Sequence, residues 1–392
     1  MELCIKSILD DDLYKFTTSY AYMQKYPDAS GTFQFVDRNH SKVSKKEFAQ
    51  IKNMINELSK LYLTEDEYKW CVKNIPFIPQ YYWEWLKSFR YEPERVKIWL
   101  DDNDELHIEV NDKLYKVTLY EVVILAIVSE ILCAKTVETM DWDSIRTKFR
   151  DKLQIARDNN FRFSEFGTRR RFSYEVQDYI IKAISHYDVS HQCTGTSNVH
   201  LAMKYNLKPM GTHPHEWFMF HGAQFGYKHA NYLALNAWQD IYKGDLGIAL
   251  TDTYTSKAFF NNFTKVLAKL FDGIRHDSGS PEEFTENAIA RYNELGINPL
   301  TKTIIFSDGL NFERAAELAN YCKDRILCSF GIGTNLTNDV NGKPCNIVMK
   351  LINCRMNDKQ PEFGCIKLSD VAGKHLGDPK EIEVAKYQLG IE

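Results

Sequence analysis

The sequence predicts an α/β fold: an irregular (βα) barrel of about seven strands joined to a smaller α+β domain. Three observations predict it. From about residue 160, short apolar runs recur, each ending in small or polar residues and followed by an amphipathic stretch. Strand then helix, repeated, calls for parallel strands with right-handed crossovers. The conspicuous polar residues Arg169, Thr196, Thr212, Asp252, Arg275, Asp277, Asp308 and Thr334 sit at or just beyond the ends of those runs, where barrel strands converge on one mouth. No G-x-G-x-x-G follows a first strand, which weakens an open dinucleotide-binding sheet and leaves it the runner-up. The 392 residues hold a barrel domain of roughly 250 residues and a companion.

In order along the chain, Asp11–Tyr26 is expected to be helical and Gly31–Asp37 alternates like a strand. Lys45–Tyr62 and Glu65–Val72 read as surface helices. VKIWL and ELHIEV, across the turn-rich DDND, read as a hairpin. Tyr120–Lys135 and Trp142–Asn159 read as helices. The barrel runs are RFSEFG (162–167), QCTGTS (192–197), KPMGTH (208–213), GIALTD (247–252), DGIRHDSG (272–279), TIIFSDG (303–309) and ILCSFGIGT (326–334). CNIVMKLINCRM and FGCIKLSD read as two late strands returning to the N-terminal region. The expected boundaries are therefore 1–135 for the α+β domain, 136–344 for the barrel and 345–392 for the returning segment.

Composition excludes several classes. Apolar residues at 44% and charged residues at 26% can bury a large core. A net charge of −4 without a polybasic run argues against nucleic acid or an anionic membrane as a partner. The longest apolar run, Val122–Val128, is too short to span a bilayer and reads as a buried helix. The nine cysteines form no CxxC pair; reduced core thiols in a cytoplasmic protein are expected.

Six motifs carry candidate chemistry. EFGTRRRF (165–172) offers fork donors for phosphate or carboxylate, with Arg169 the foremost and surface ion pairs the plain alternative. GTSN (195–198) is a small turn whose N–H groups can approach an anion. GTHPHEW (211–217) places His213 and His215 two apart on an expected strand. They are candidate zinc ligands, a nucleophile toward the γ-phosphate of ATP, or structural histidines. In IRHDSGS (274–280), Arg275 and Asp277 point to one side, while Ser280 and Glu283 form a capping pattern. FSDGLN (306–311) and FGIGTN (330–335) are Gly-rich turns after apolar strands, suited to phosphate.

These motifs in this order, with LDDDLYKFTTSYAYMQKYP and FQFVDR before them, resemble the nicotinate phosphoribosyltransferase family over nearly the whole chain. The resemblance implies transfer of a phosphoribosyl group from phosphoribosyl pyrophosphate to nicotinate. It also implies Mg²⁺, ATP coupled through a phosphohistidine, and a homodimer whose partner completes each site. Residue by residue, Tyr14 and Phe166 are similar to the rings that sandwich the pyridine, Tyr14 reaching across the dimer. Arg169 and Thr212 correspond to base-site positions. His215 matches the phosphorylated histidine, and Arg275 and Asp277 match catalytic residues around base and ribose. Asp308, Gly309, Gly333 and Thr334 match the ribose and 5′-phosphate loops. Ser197 stands where nicotinamide-specific relatives carry an aspartate, which favours nicotinate. No metal ligands are assigned. The alternatives are nicotinamide or quinolinate phosphoribosyltransfer, a metal-dependent barrel hydrolase using His213 and His215, and a non-catalytic phosphosugar-binding protein.

Overall fold

Local capping chemistry sets much of the N-terminal third. The computed structural model describes residues 3–134, 140–188, 191–211, 213–340 and 343–391, so the expected base-site residue Thr212 lies outside the described residues. Helices Lys45–Glu57 and Glu65–Asn74 both start at capping boxes, Ser44 with Glu47 and Thr64 with Glu67, each satisfying two orphan N–H groups reciprocally. The helix Gln80–Ser88 has no such signature. It follows Pro79 without a side-chain cap and is held by burial of Tyr82, Trp83 and Leu86, packing that overrides weak propensity.

Strands are named in chain order: β1 Ser30–Asp37, β2 Val96–Leu100, β3 Leu106–Lys113, β4 Phe163–Glu165, β5 Cys193–Thr196, β6 Lys243–Leu246, β7 Ile248–Leu250, β8 Gly273–His276, β9 Thr303–Phe306, β10 Leu327–Ile332, β11 Ile347–Arg355 and β12 Phe363–Gly364. A five-stranded sheet runs β12-β11-β1-β3-β2. The expected hairpin is present, with Val96 opposite Val110 and Leu100 opposite Leu106. Between β12 and β1 lies the C-terminal strand β11, antiparallel to β1 from Ser30↔Arg355 to Asp37↔Ile347. Of the second late run, FGCIKLSD, only Phe363–Gly364 forms a strand, followed by a bridge from Lys367 to Leu376.

The second sheet has the order β5-β4-β10-β9-β8-β7, and every pair in it is parallel. Its first strand, β4, pairs with its last, β10. Six strands form where about seven were expected. Among its described residues the run 208–213 makes only one bridge, Pro209 to Thr196, since Pro209 and Pro214 lack the N–H a ladder needs. Beyond Pro214 the chain turns into a helix, His215–Phe225; His215 therefore opens a helix rather than lying on a strand.

The core helix Tyr120–Ala134 is buried on all sides from Tyr120 through Ser129. The longer stretch Leu114–Ala134 is apolar enough to cross a bilayer by length and composition, but 83% of its most apolar window is buried inside the protein. A helix apolar all round belongs in a core when other elements cover it. Helix Phe312–Cys322 buries Phe312, Ala315, Ala316 and Leu318, the face its spacing predicts. None of the nine cysteines forms a disulfide; Cys328 and Cys345 are half-buried and the others buried.

Candidate active site

A cavity of about 880 Å³ opens where the ends of the parallel strands meet the inner face of the five-stranded sheet. That is large enough for a nucleotide-sized ligand. Tyr14, Phe166, Arg169, Ser197, His215, Arg275, Asp277, Asp308, Gly309, Gly333 and Thr334 all line it. The residues that the family resemblance assigned to the site, Thr212 aside, thus reach one space, whereas Thr196, His213 and Asp252 do not line it. Tyr14 lines the cavity of its own chain, beside Ser197, whose carbonyl accepts from Leu13 N at 2.8 Å.

The Phe166 turn is built by a buried carboxylate. Glu165 accepts from Gly167 N at 2.5 Å and from Thr196 Oγ1 at 2.5 Å, with Gln177 Nε2 at 3.2 Å. Burial pushes its carboxyl up to about 7, although these donors oppose the rise. Gly331 has no side chain because the Phe166 ring lies over it: a Cβ there would sit 2.4 Å from ring carbon Cδ2. Gly309 supplies the left-handed turn after β9, at φ +59, a region that glycine enters at little cost.

The three consecutive arginines divide their roles. Arg171 is fully buried and forms a bidentate pair with Asp10 at 2.7 and 3.0 Å, a structural tie to the N-terminal segment. Arg169 and Arg170 turn into the cavity. Burial and the Arg169 charge push Arg170 down to about 10, as expected of guanidinium groups crowded together in one cavity. Ser197 Oγ donates to Asp12 Oδ1 at 2.7 Å. A carboxyl group therefore already stands behind Ser197, and burial raises it, favouring its neutral form at the cavity wall.

The histidines separate cleanly. His213 is absent from the cavity wall. It is fully buried, packs edge-on against Phe218 and Trp238, and neither ring nitrogen has a hydrogen-bond partner among the described residues. It is a core residue, so no His213–His215 metal pair exists. His215 Nε2 lies 2.7 Å from Asp252 Oδ1, 2.8 Å from Lys367 Nζ and 3.6 Å from Asp277 Oδ2. One nitrogen cannot serve both near neighbours. Lys367 has its own acceptor in Asp252 Oδ2 at 2.9 Å, so Nε2–H donating to Asp252 Oδ1 is the consistent assignment. Burial and the Lys367 charge push the imidazole down to about 4. Burial alone would raise Asp252, but the His215 and Lys367 charges overcome it and hold the carboxyl well below its usual range. Asp277 Oδ1 accepts from Arg275 Nη2 at 3.0 Å and Ser307 Oγ at 2.6 Å. Lys374 Nζ pairs with Asp308 Oδ2 at 2.6 Å.

His215, Asp252 and Asp277 bring their ligand atoms within 4.8 Å of one another. The Lys367 ammonium already sits among them, and Asp252 also accepts from Ser278 Oγ at 2.8 Å. This set does not suit a resident divalent ion: Mg²⁺ prefers open oxygen ligands and water, not an imidazole beside a cation. Lys350, Lys367 and Lys374 escaped the sequence reading because they belong to the late segment, read only as strands. The one available signal was Lys350 interrupting the apolar run IVMKLI.

Comparison with known proteins agrees with the geometry. The profile of the nicotinate phosphoribosyltransferase (NAPRTase) family matches residues 161–390, and that of the family's N-terminal domain matches residues 9–129. The nicotinate phosphoribosyltransferase of Chromohalobacter salexigens is 43% identical over 388 residues, covering 99% of both chains. That of Methanosarcina acetivorans is 41% identical, covering 98% of both. The crystal structure of the Porphyromonas gingivalis enzyme of that name superposes with a TM-score of 0.96 at 48% identity, covering 99% of this chain and 100% of that one. The Vibrio cholerae structure gives 0.91 at 34% identity, covering 99% and 94%. With both parts of the family profile matched and relatives similar from end to end, the chain belongs to the nicotinate phosphoribosyltransferase family.

Proposed function

We propose that this chain joins nicotinate to the phosphoribosyl group of phosphoribosyl pyrophosphate, giving nicotinate mononucleotide and pyrophosphate, with ATP coupled through His215. The observation that carries the reading is the convergence of two aromatic rings, a buried histidine–aspartate pair and a set of cations on one cavity. Tyr14 and Phe166 suit a flat pyridine ring held in line with the sugar. Its ring nitrogen attacks C1 of the ribose while the C1–O bond breaks, and the electron pair leaves on pyrophosphate. Arg169, Arg170 and Arg275 supply fixed positive charge for the leaving group. Asp308 and the turns at Gly309 and Gly333–Thr334 suit the ribose and 5′-phosphate. Mg²⁺ belongs to the phosphates of the co-substrates rather than to a protein centre.

With Nε2–H held by Asp252, the lone pair of His215 lies on Nδ1. A depressed basicity keeps that nitrogen unprotonated at neutral pH, and it attacks the γ-phosphorus of ATP as ADP departs. His215 is the first residue of its helix, so the partial positive charge of the helix N-terminus favours the phosphorylated form. Its charge then biases the cavity toward tight binding of phosphoribosyl pyrophosphate, and hydrolysis releases product. We read the working unit as a homodimer on the same resemblance.

The test is product formation from nicotinate, phosphoribosyl pyrophosphate and Mg²⁺, with and without ATP. His215→Asn is expected to abolish ³²P transfer from [γ-³²P]ATP and nicotinate-stimulated ATPase activity, while slow ATP-independent synthesis persists. Retained labelling of this variant would move the phosphoryl carrier elsewhere. A wild-type chain that forms no nicotinate mononucleotide would overturn the reading as a whole.

A further inference from the structure

Two thiols meet behind the arginine turn, outside the cavity. Cys133 lies in the last turn of the core helix Tyr120–Ala134 and is fully buried. Cys345 lies just ahead of β11, outside any strand, and is half-buried. Their Sγ atoms are 3.5 Å apart. Asn338 Nδ2 donates to Cys133 Sγ at 3.4 Å, and Ser129 Oγ lies 3.7 Å from it. The hydroxyl proton of Ser129 already goes to Arg171 O at 2.8 Å, so Asn338 and the Cys345 thiol act as donors to Cys133.

This arrangement lets the pair lose one proton. Donation from Cys345 and Asn338 outweighs burial and holds the Cys133 thiol down at about 6, although a helix C-terminus works against negative charge. The remaining proton is shared along S–H···S⁻, and either sulfur takes thiolate character, the reacting form of the side chain. Cys345 is the one that a small oxidant reaches. The pair Cys354–Cys365 has neither property. Its sulfurs lie 3.3 Å apart, but both residues are fully buried, and burial raises the Cys365 thiol well above its usual range.

We infer that Cys133 and Cys345 form an oxidation site: a peroxide closes them into a disulfide, which distorts the arginine side of the cavity and slows the proposed reaction. The Cys345 proton passes to Cys133, whose S–H then donates to Lys343 O at 3.9 Å. The Cys345 thiolate attacks one peroxide oxygen. The O–O bond breaks, hydroxide leaves and takes a proton from solvent, and Cys345 becomes a sulfenic acid. The Cys133 sulfur then attacks the Cys345 sulfur. The S–O bond breaks, and the hydroxyl leaves as water with the Cys133 proton. The two thiols have lost two electrons, and the peroxide has gained them as two waters. A small dithiol reverses the step by exchange.

The bond would draw the sulfurs from 3.5 Å to about 2.0 Å. Both sides of it reach the cavity. Ser129, one turn before Cys133, holds Arg171 O, and Asn338 Nδ2 holds Arg170 O at 2.8 Å. Next to Cys345, Asn346 lines the cavity and its carbonyl accepts from Arg38 N at 3.0 Å. Closure therefore pulls on the backbone that presents Arg38, Arg169 and Arg170 to the cavity.

The test treats the full chain with hydrogen peroxide and maps its peptides by mass spectrometry without reduction. We expect a linked pair joining the Cys133 and Cys345 peptides, lighter than their sum by two hydrogens. Synthesis of nicotinate mononucleotide should fall about tenfold, since a misplacement of about 1 Å at a positioning group costs up to about 100-fold. Dithiothreitol should restore it. Cys345→Ser should match the untreated parent and keep its rate under peroxide, while Cys133→Ser should leave Cys345 as a sulfenic acid that dimedone labels. The rate rests on the proposed reaction; the mapping, and weaker calorimetric binding of magnesium pyrophosphate by the oxidised chain, need no turnover and decide the inference if the synthesis assay fails. Absence of the linked peptides, a link that alters neither rate nor binding, or an equal loss under peroxide in Cys345→Ser would overturn it.

Discussion

His213 and His215 stand two residues apart and do opposite things. Sequence spacing alone leaves both as ligands, nucleophiles or structural histidines; the cavity, which only His215 lines, separates them. Burial pushes His213 down to about 3 from an ordinary value of 6.5. Between those values the unfolded chain holds a proton that the folded chain does not. Stability is therefore intact above about pH 6.5 and falls as the pH drops toward 3. His215 and His221, both pushed down to about 4, act in the same direction. Replacing His213 with Leu removes one of these proton uptakes. The acid-unfolding midpoint, followed by tryptophan fluorescence beside Trp238, should move to lower pH, and synthesis should continue at a rate close to that of the parent. A variant that unfolds in acid where the parent does would assign the acid sensitivity to the other histidines.

At the scale of elements, the close approach of β10 to the Phe166 turn shapes one wall of the cavity. Phe166 N donates to Ile332 O at 2.8 Å, and its ring covers Gly331. Gly331→Ala forces the ring away from a backbone that cannot retreat within a parallel ladder. The expected outcome is a rise of about tenfold in the KM for nicotinate, equivalent to about 1.4 kcal/mol, with the KM for phosphoribosyl pyrophosphate much less affected. Steady-state kinetics with each substrate varied in turn checks it; equal effects on both would mean that the whole mouth had shifted. The β4 and β10 runs were readable as strands from their apolar composition. That one glycine exists to admit one ring was not, because it depends on which strand lies beside which.

At the scale of the molecule, three distant elements meet at Lys15. Its fully buried ammonium contacts Glu121 of the core helix and Glu216, at 2.5 Å, of the helix that begins with His215. Thr118 Oγ1 donates to Glu216 Oε1 at 2.6 Å. Burial opposes the Lys15 charge, but the two carboxylates outweigh it and hold the lysine protonated. Lys15→Met would strand two buried carboxylates. We expect a loss of about 3–5 kcal/mol, measured by urea denaturation, with loss of His215 labelling in whatever fraction stays folded. A loss below about 1 kcal/mol, the usual scale of an exposed pair, would show that the cluster is wetter than its burial indicates.

The sequence by itself determined what is local and periodic: the Ser280 helix cap, the hairpin, the helical face of Phe312–Cys322, the parallel strand–helix rhythm and the polar strand ends. These follow from hydrogen-bonding needs and side-chain spacing within a few residues. It also carried enough ordered motifs to show the family resemblance that whole-chain comparison bears out. The tertiary structure decided the rest. Among the described residues it reduced the expected run at 208–213 to a single bridge, because proline withholds a donor. It made His213 core and His215 a cavity residue, because desolvation depends on what surrounds a ring. It drew Lys350, Lys367 and Lys374 from the late segment onto the site through the pairing of β11 with β1 and the strap that follows. Contacts between residues so far apart in sequence leave no periodicity to read; only the closed packing of the folded chain brings them together.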